Sequence, residues 1–300
     1  MDFDALGGCF TSTSCVVTQI SAGMIIGMLL FLVASGLTLI FGVLGVINFA
    51  HGSFYMLGAY FAYTVYQLTT SFVLATLGGA LGVMIFGILF ERLLLSRIYG
   101  ANVLMQLLVC YAVILILDDL AKIIWGAEFI KMPMPAEFRV PPIRMGGGIV
   151  PVYYVVLTGL TVAIALGMGW LMSGTRFGKT VHAAAQNKNM VAALGINTTA
   201  LYIAVFGLGS LLAGVAGGLA APIRSLVPGM GVSILIESFI VTVIGGMGSI
   251  AGAFVAAILL GLTRAFGSIG FPLFTEGVMF LLMAIILLVK PSGLFGQREA

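Results

Sequence analysis

Charge is what the chain has least of. Of its 300 residues, 8% are Asp, Glu, Lys or Arg and 61% are hydrophobic, whereas a soluble domain carries roughly a quarter charged residues. A water-facing surface of ordinary extent is excluded, and the composition reads as an all-α polytopic membrane protein. The chain has only two histidines and three cysteines, and no spacing among them gathers a metal-ligand set. No nucleophile, base and orienting group occur together, so a catalytic centre is not expected. The formal net charge of +3 is small and dispersed, which leaves no basic tract for nucleic acid. The opening MDFDALGGCF lacks the basic region of a signal peptide and is expected to be retained. Cys110 lies in an apolar run as a buried thiol. Cys9 and Cys15 precede the first span beside Asp2 and Asp4 with no Lys or Arg, which favours the external side. A disulfide there needs an oxidising compartment, and two neighbouring thiols alone leave the pairing open.

Acidic residues are also missing from Ser173 to Thr199, which carries Arg176, Lys179, His182 and Lys188 between two long apolar runs. Short basic loops stay in the cytoplasm, so this loop fixes the orientation. Within it, Val181–Leu194 is predicted as one short helix. Val181, Ala184, Val191 and Leu194 share one side, His182, Gln186 and Asn189 the other, and Lys188 interrupts the apolar side. Gly195 is suited to end it, and Asn197 or Thr198 to cap the next. The residues alone leave two readings open: an interfacial helix tucked under the bundle, or a docking element for a soluble partner.

A span needs roughly 20 apolar residues. About eight hydrophobic segments follow: Gln19–Phe41, Ser53–Leu68, Phe72–Leu95, Val103–Trp125, Val150–Met172, Leu201–Ala221, a Gly-broken Val232–Leu262, and Phe274–Val289. Counting back from the basic loop puts Arg92 and Arg97 inside, the N-terminus outside and segment 126–148 outside as an ordered cap. Lys290 and Arg298 favour an internal C-terminus, which eight crossings contradict. Two shorter crossing segments within Val232–Leu262 restore the parity.

Two stretches break the apolar pattern with glycine: GVINFAHGS (Gly45, Gly52) and IGGMGSIAG (Gly245, Gly246, Gly248). Broken backbone at membrane depth must be buried in protein or line a wet cavity, and transporters place paired broken helices at their binding sites. Asn48, His51, Ser53 and Ser249 are therefore candidates for the translocation path, with Asn48 and Ser249 expected to cap half-helices. The alternative is that each merely satisfies freed backbone groups. Asp118 and Lys122 are placed for an i,i+4 pair. Glu237 and Glu276 near span starts, and Arg264 near a span end, belong either at the headgroup level or to function. GTRFGKT at 174–180 is one residue short of a nucleotide-binding loop and follows a span, so it is not one.

GLTLIFGVLGVINFAHGSFYMLGAY (36–60), TRFGKTVHAAAQNKNMVAALGIN (175–197), VIGGMGSIAGAFVAAILLG (243–261) and KPSGLFG (290–296) together resemble the LivH-type permease subunits of branched-chain amino-acid ABC importers. The resemblance implies a single ABC-importer transmembrane domain over residues 1–300 with broken or half helices, in the bacterial inner membrane. It implies passage of a branched-chain or related hydrophobic amino acid from a periplasmic binding protein to the cytoplasm. Expected partners are a second, LivM-like permease and two cytoplasmic ATPase subunits, which hold the ATP and Mg; this chain needs no cofactor. Segment 173–199 becomes the coupling segment, with Arg176, Lys179, His182, Ala184, Ala185, Lys188 and Gly195 as contacts to the ATPase. It departs from its relatives in having Gln186 and Asn187 but no acid. Urea, amide or aromatic-acid permeases are alternatives within the resemblance, and a stand-alone secondary transporter outside it.

Overall fold

The computed structural model describes residues 3–296, so Asp2 and Arg298 lie outside the described residues. The described chain forms α1 (Phe3–Thr11), α2 (Thr13–Leu44), α3 (His51–Thr69), α4 (Phe72–Leu93), α5 (Val103–Trp125) and α6 (Val152–Gly174). Two short helices, α7 (Arg176–Gln186) and α8 (Lys188–Ala193), lead to α9 (Thr198–Ala220), α10 (Met230–Gly245), α11 (Ile250–Gly270) and α12 (Thr275–Val289). Five stretches are long and apolar enough to cross a membrane: α2, Phe72–Arg97, α6, α9 and α11. α10 and α12 are shorter apolar helices.

The 32 residues of α2 span about 48 Å, more than the roughly 30 Å of hydrocarbon. Every residue from Gly27 to Ile40 is buried, as a helix hydrophobic on all sides must be. α9, α10 and α11 pack directly on it, and α3 and α4 close the core around α9. Small residues set these approaches, since lipid offers no hydrophobic drive between helices and close backbone contact replaces it. Gly58 of α3 lies against the backbone of Gly214 in α9, and Gly27 of α2 against that of Ala257 in α11. The outward faces of α5 and α6 present Leu107, Leu108, Leu115, Ile116, Val156, Leu166 and Trp170.

One end of the bundle carries Arg92, Arg97 and the basic segment 173–199. Tyr99, just past Arg92 and Arg97, meets the Tyr202 ring at the start of α9 at 5.8 Å. Its hydroxyl donates to Glu91 Oε1 at 2.6 Å. Burial and that carboxylate push the phenol up, so it stays a neutral donor. The opposite end carries α1, tied to α2 by a Cys9–Cys15 disulfide with Cα atoms 5.2 Å apart. There segment 126–148 folds back: β1 (Ile143–Met145) pairs antiparallel with β2 (Gly148–Val150), Gly148 rests on Ser14 and Val17, and Ile130 bridges Leu226.

The basic segment differs from the predicted single helix Val181–Leu194. Thr175 starts α7 early by accepting from Gly178 N at 3.2 Å. Asn187, extended at φ −154 and ψ 93, breaks the helix and caps α8 by accepting from Met190 N at 3.0 Å. Asn competes for backbone amides in this way and favours caps over helix interiors. α8 ends with Gly195 at φ 80, with Ile196 N bonded to Val191 O at 3.3 Å and Gly195 N to Ala192 O at 3.0 Å, the two-bond left-handed cap. Asn197 caps α9 through Ala200 N at 3.0 Å. Leu194 is exposed, not on the buried side.

The Gly-broken region is two helices, α10 and α11. Setting α1, α7 and α8 aside, nine of the twelve described helices make up the bundle, and the segment after Lys290 packs against the end of α10. The Asp118–Lys122 pair does not form: Lys122 Nζ bonds Asp119 at 2.9 Å instead, while Asp118 turns inward with a buried, unpartnered Oδ1.

Candidate translocation site

α2 stops at Gly45, whose φ of 66 and ψ of 17 are left-handed. The chain then doubles back. His51 Nε2, in the first turn of α3, lies 3.1 Å from Val33 O, and Val33 is about 18 Å up α2 from Gly45 at 1.5 Å per residue. α3 therefore starts inside the bundle. Asn48 and His51 are fully buried and Ser53 is 2% exposed. Asn48 does not cap α3. Its Oδ1 accepts from Ala50 N at 3.1 Å, a turn within the loop, while the cap position, Ala50, has no side-chain acceptor. Asn48 Nδ2, His51 Nδ1 and Ser53 Oγ are buried and bond no other protein atom, an uncommon concentration of unsatisfied polar atoms for a native interior.

At the second break, Gly246 and Gly248 take φ of 97 and 87, and Gly245 presses on Gly252 and Ala253 with no room for a Cβ. Ser249 caps α11 by accepting from Gly252 N at 3.1 Å. The carbonyls freed at the end of α10 are met by the C-terminal segment: Leu294 N bonds Ile244 O at 2.7 Å and Phe295 N bonds Gly245 O at 3.0 Å. Lys290 Nζ holds that segment's turn through Leu294 O at 2.6 Å. KPSGLFG is thus the partner of the second break. The only sequence signal for it was a glycine-punctuated tail after the last apolar run.

α10 joins the two breaks. Its start touches the first, with Gly231 against Gly52, and its end brings Gly248 beside Gly42 of α2. Between them Thr38 of α2 donates to Thr242 of α10 at 3.2 Å. The same helix carries Glu237, 5% exposed and paired with Arg264 of α11. Glu237 is therefore a buried, paired group within the bundle. Its Oε2 has no partner, and neither does the buried Tyr55 hydroxyl, which lies within electrostatic reach of both charges. Opposite charges on two consecutive apolar runs were the signal for this pair.

At the basic end Arg176, Lys179, His182, Ala185, Lys188 and Gly195 are exposed, whereas Gly178, Val181, Ala184 and Val191 are buried. The buried set rests on α2, α6 and α9. The exposed set is joined by Met190, Leu194 and Ile196, so the segment shows cations and apolar side chains together. Ala184 belongs to the brace and Ala185 to the free face. Among the described residues no group of three or more His, Cys, Asp or Glu converges on a metal position.

Residues 19–289 match the family described as branched-chain amino acid transport system permease component. BraD of Pseudomonas aeruginosa, a high-affinity branched-chain amino acid transport system permease protein, is 29% identical over 94% of this chain and 96% of its own. LivH of Escherichia coli K12 is 26% identical with the same coverage. A probable branched-chain amino acid transport permease of Methanocaldococcus jannaschii is 27% identical over 92% of this chain and 91% of its own. No solved structure matches. With a paired helix break inside a multi-pass bundle and a family match over most of its length, the chain belongs to the permease components of branched-chain amino acid transport systems.

Proposed function

We propose that the chain is the LivH-type transmembrane subunit of an ATP-driven importer in a bacterial inner membrane, passing a branched-chain or related hydrophobic amino acid inward. It pairs with a LivM-like permease, receives substrate from a periplasmic binding protein at the end capped by residues 126–148, and docks two cytoplasmic ATPases at the basic end. Those ATPases supply the chemistry by binding ATP and Mg; this chain transmits movement. The observation that carries the reading is the segment 173–199, buried on one side against α2, α6 and α9 and exposed on the other with cations and apolar side chains. An isolated helix of this length is unstable in water, so the bundle holds its shape, and a push on it is delivered to α2, the helix that ends at the first break. The path runs by the two breaks, where Asn48, His51, Ser53 and Ser249 shape the freed backbone. Reconstitution with the ATPases, the second permease and the binding protein tests this. Leucine uptake that needs all components and ATP supports it; uptake driven by an ion gradient without ATPases supports a secondary transporter, and uptake of only urea or aromatic acids moves the substrate class.

A further inference from the structure

At the end opposite the basic segment, α2, α11 and the turn into α12 form an open cavity of about 470 Å³ lined by Gln19, Ala22, Ile26, Arg264, Leu273 and Glu276, among others. That volume falls within the roughly 300–1,000 Å³ of small-ligand pockets. The cavity holds one cation and one anion, Arg264 and Glu276, on walls that also include apolar side chains. The Arg264 side chain is 27% exposed and lines the cavity, and its Nη1 is paired with Glu237, which is not among the lining residues. A guanidinium has five donors in a planar fork, and among the described residues only Nη1 is seen to be used. Glu237 itself is more than nine-tenths buried and keeps Oε2 unpartnered.

We propose that this cavity receives a zwitterionic α-amino acid, with the free donors of Arg264 taking the carboxylate, Glu276 the ammonium, and Ala22, Ile26 and Leu273 meeting an apolar side chain. Glu237 is a positioning residue: it aims the guanidinium and neutralises much of its charge. A cation already paired holds a second carboxylate weakly, which suits a site that must release its cargo. Lone burial of either partner is costly, so the pair also keeps the empty site stable. The inference rests on the importer reading and adds where the substrate first meets this chain.

The test uses the assembled importer, without binding protein, carrying Cys110→Ala and Ser268→Cys, since Ser268 is exposed on the cavity wall. An anionic methanethiosulfonate reagent labels position 268. Saturating L-leucine is expected to slow labelling severalfold, leucinamide and isocaproate much less, because each lacks one charge. In Arg264→Gln/Glu237→Gln, a near-isosteric neutral pair, protection by leucine is expected to disappear. Should that variant not assemble, Arg264→Lys, which keeps the charge without the fork, is expected to weaken protection. Protection unchanged in the variant that assembles overturns the site. So does an absence of protection in an importer that takes up leucine with ATP, or protection that follows phosphatidylethanolamine content instead of leucine. If the complete importer with its binding protein takes up no amino acid at all, the importer reading falls first and the site with it.

Discussion

Replacing Gly246 by alanine is expected to detach the C-terminal segment from the second break while leaving the bundle in place. Gly246 sits at φ 97 and ψ 121, a region that costs a residue with a Cβ about 1–3 kcal/mol. The new methyl also points into the backbone of Phe295 and Gly296. Moving that backbone away breaks the bonds from Leu294 N to Ile244 O at 2.7 Å and from Phe295 N to Gly245 O at 3.0 Å, each worth about 0.5–1.5 kcal/mol net. Together the local cost is about 2–6 kcal/mol, and since 1.4 kcal/mol is tenfold in an equilibrium, opening of the segment should rise at least about 30-fold. Amide hydrogen exchange in a nanodisc reads this directly at Leu294 and Phe295. Faster exchange confined to those amides and their neighbours is the expected result. Unchanged exchange in a normally inserted Gly246→Ala protein would refute the claim that the segment is held by a break with no room for a side chain.

Glu237→Ala leaves Arg264 without its partner and should destabilise the protein by about 3–5 kcal/mol, seen as a lower Tm in detergent; Glu237→Ala/Arg264→Ala should recover part of that loss, and additive losses would argue against coupling. His51→Ala removes the contact to Val33 O and should cost about 1–3 kcal/mol, with uptake per folded complex also reduced if the loop shapes the path; normal uptake with normal stability takes His51 out of it. Cysteines placed at Ala136 and Gln186, both exposed, should be labelled from opposite sides of the membrane, the first from outside, and labelling of both from one side would invert or break the topology.

Local signals made much of the fold legible. Val103–Trp125 is read from the sequence with the bounds that α5 has, because polar and glycine residues flank a mostly apolar run; the structure adds that Asn102 caps its start by accepting from Met105 N at 2.8 Å. The division of α10 from α11 was legible from charge parity together with the cluster of glycines at 245, 246 and 248, two of which, Gly246 and Gly248, take φ of 97 and 87. The single helix at Val181–Leu194 was misread because its apolar period continues across Asn187, while Asn187 turns its side chain to the backbone and starts a new helix. Asn48 was misplaced for a related reason: it bonds its own loop two residues on instead of capping α3. What local pattern cannot carry is long-range pairing. Glu237 with Arg264 and Leu294 with Ile244 depend on which helices become neighbours, and glycine contacts decide that only after folding.

The central claim, that segment 173–199 couples this permease to separate ATPases, is tested most directly by placing tryptophan at two adjacent alanines. Ala184 is 3% exposed and faces the bundle, whereas Ala185 is on the free face. In a purified importer, Ala185→Trp should insert, pair with the second permease and keep its Tm, yet lose stimulated ATP hydrolysis and uptake together by at least about tenfold, the equivalent of 1.4 kcal/mol of lost contact. Ala184→Trp should instead lower the Tm by displacing α7 from the underside of the bundle. A normal stimulated ATPase rate and normal uptake in Ala185→Trp would contradict the account.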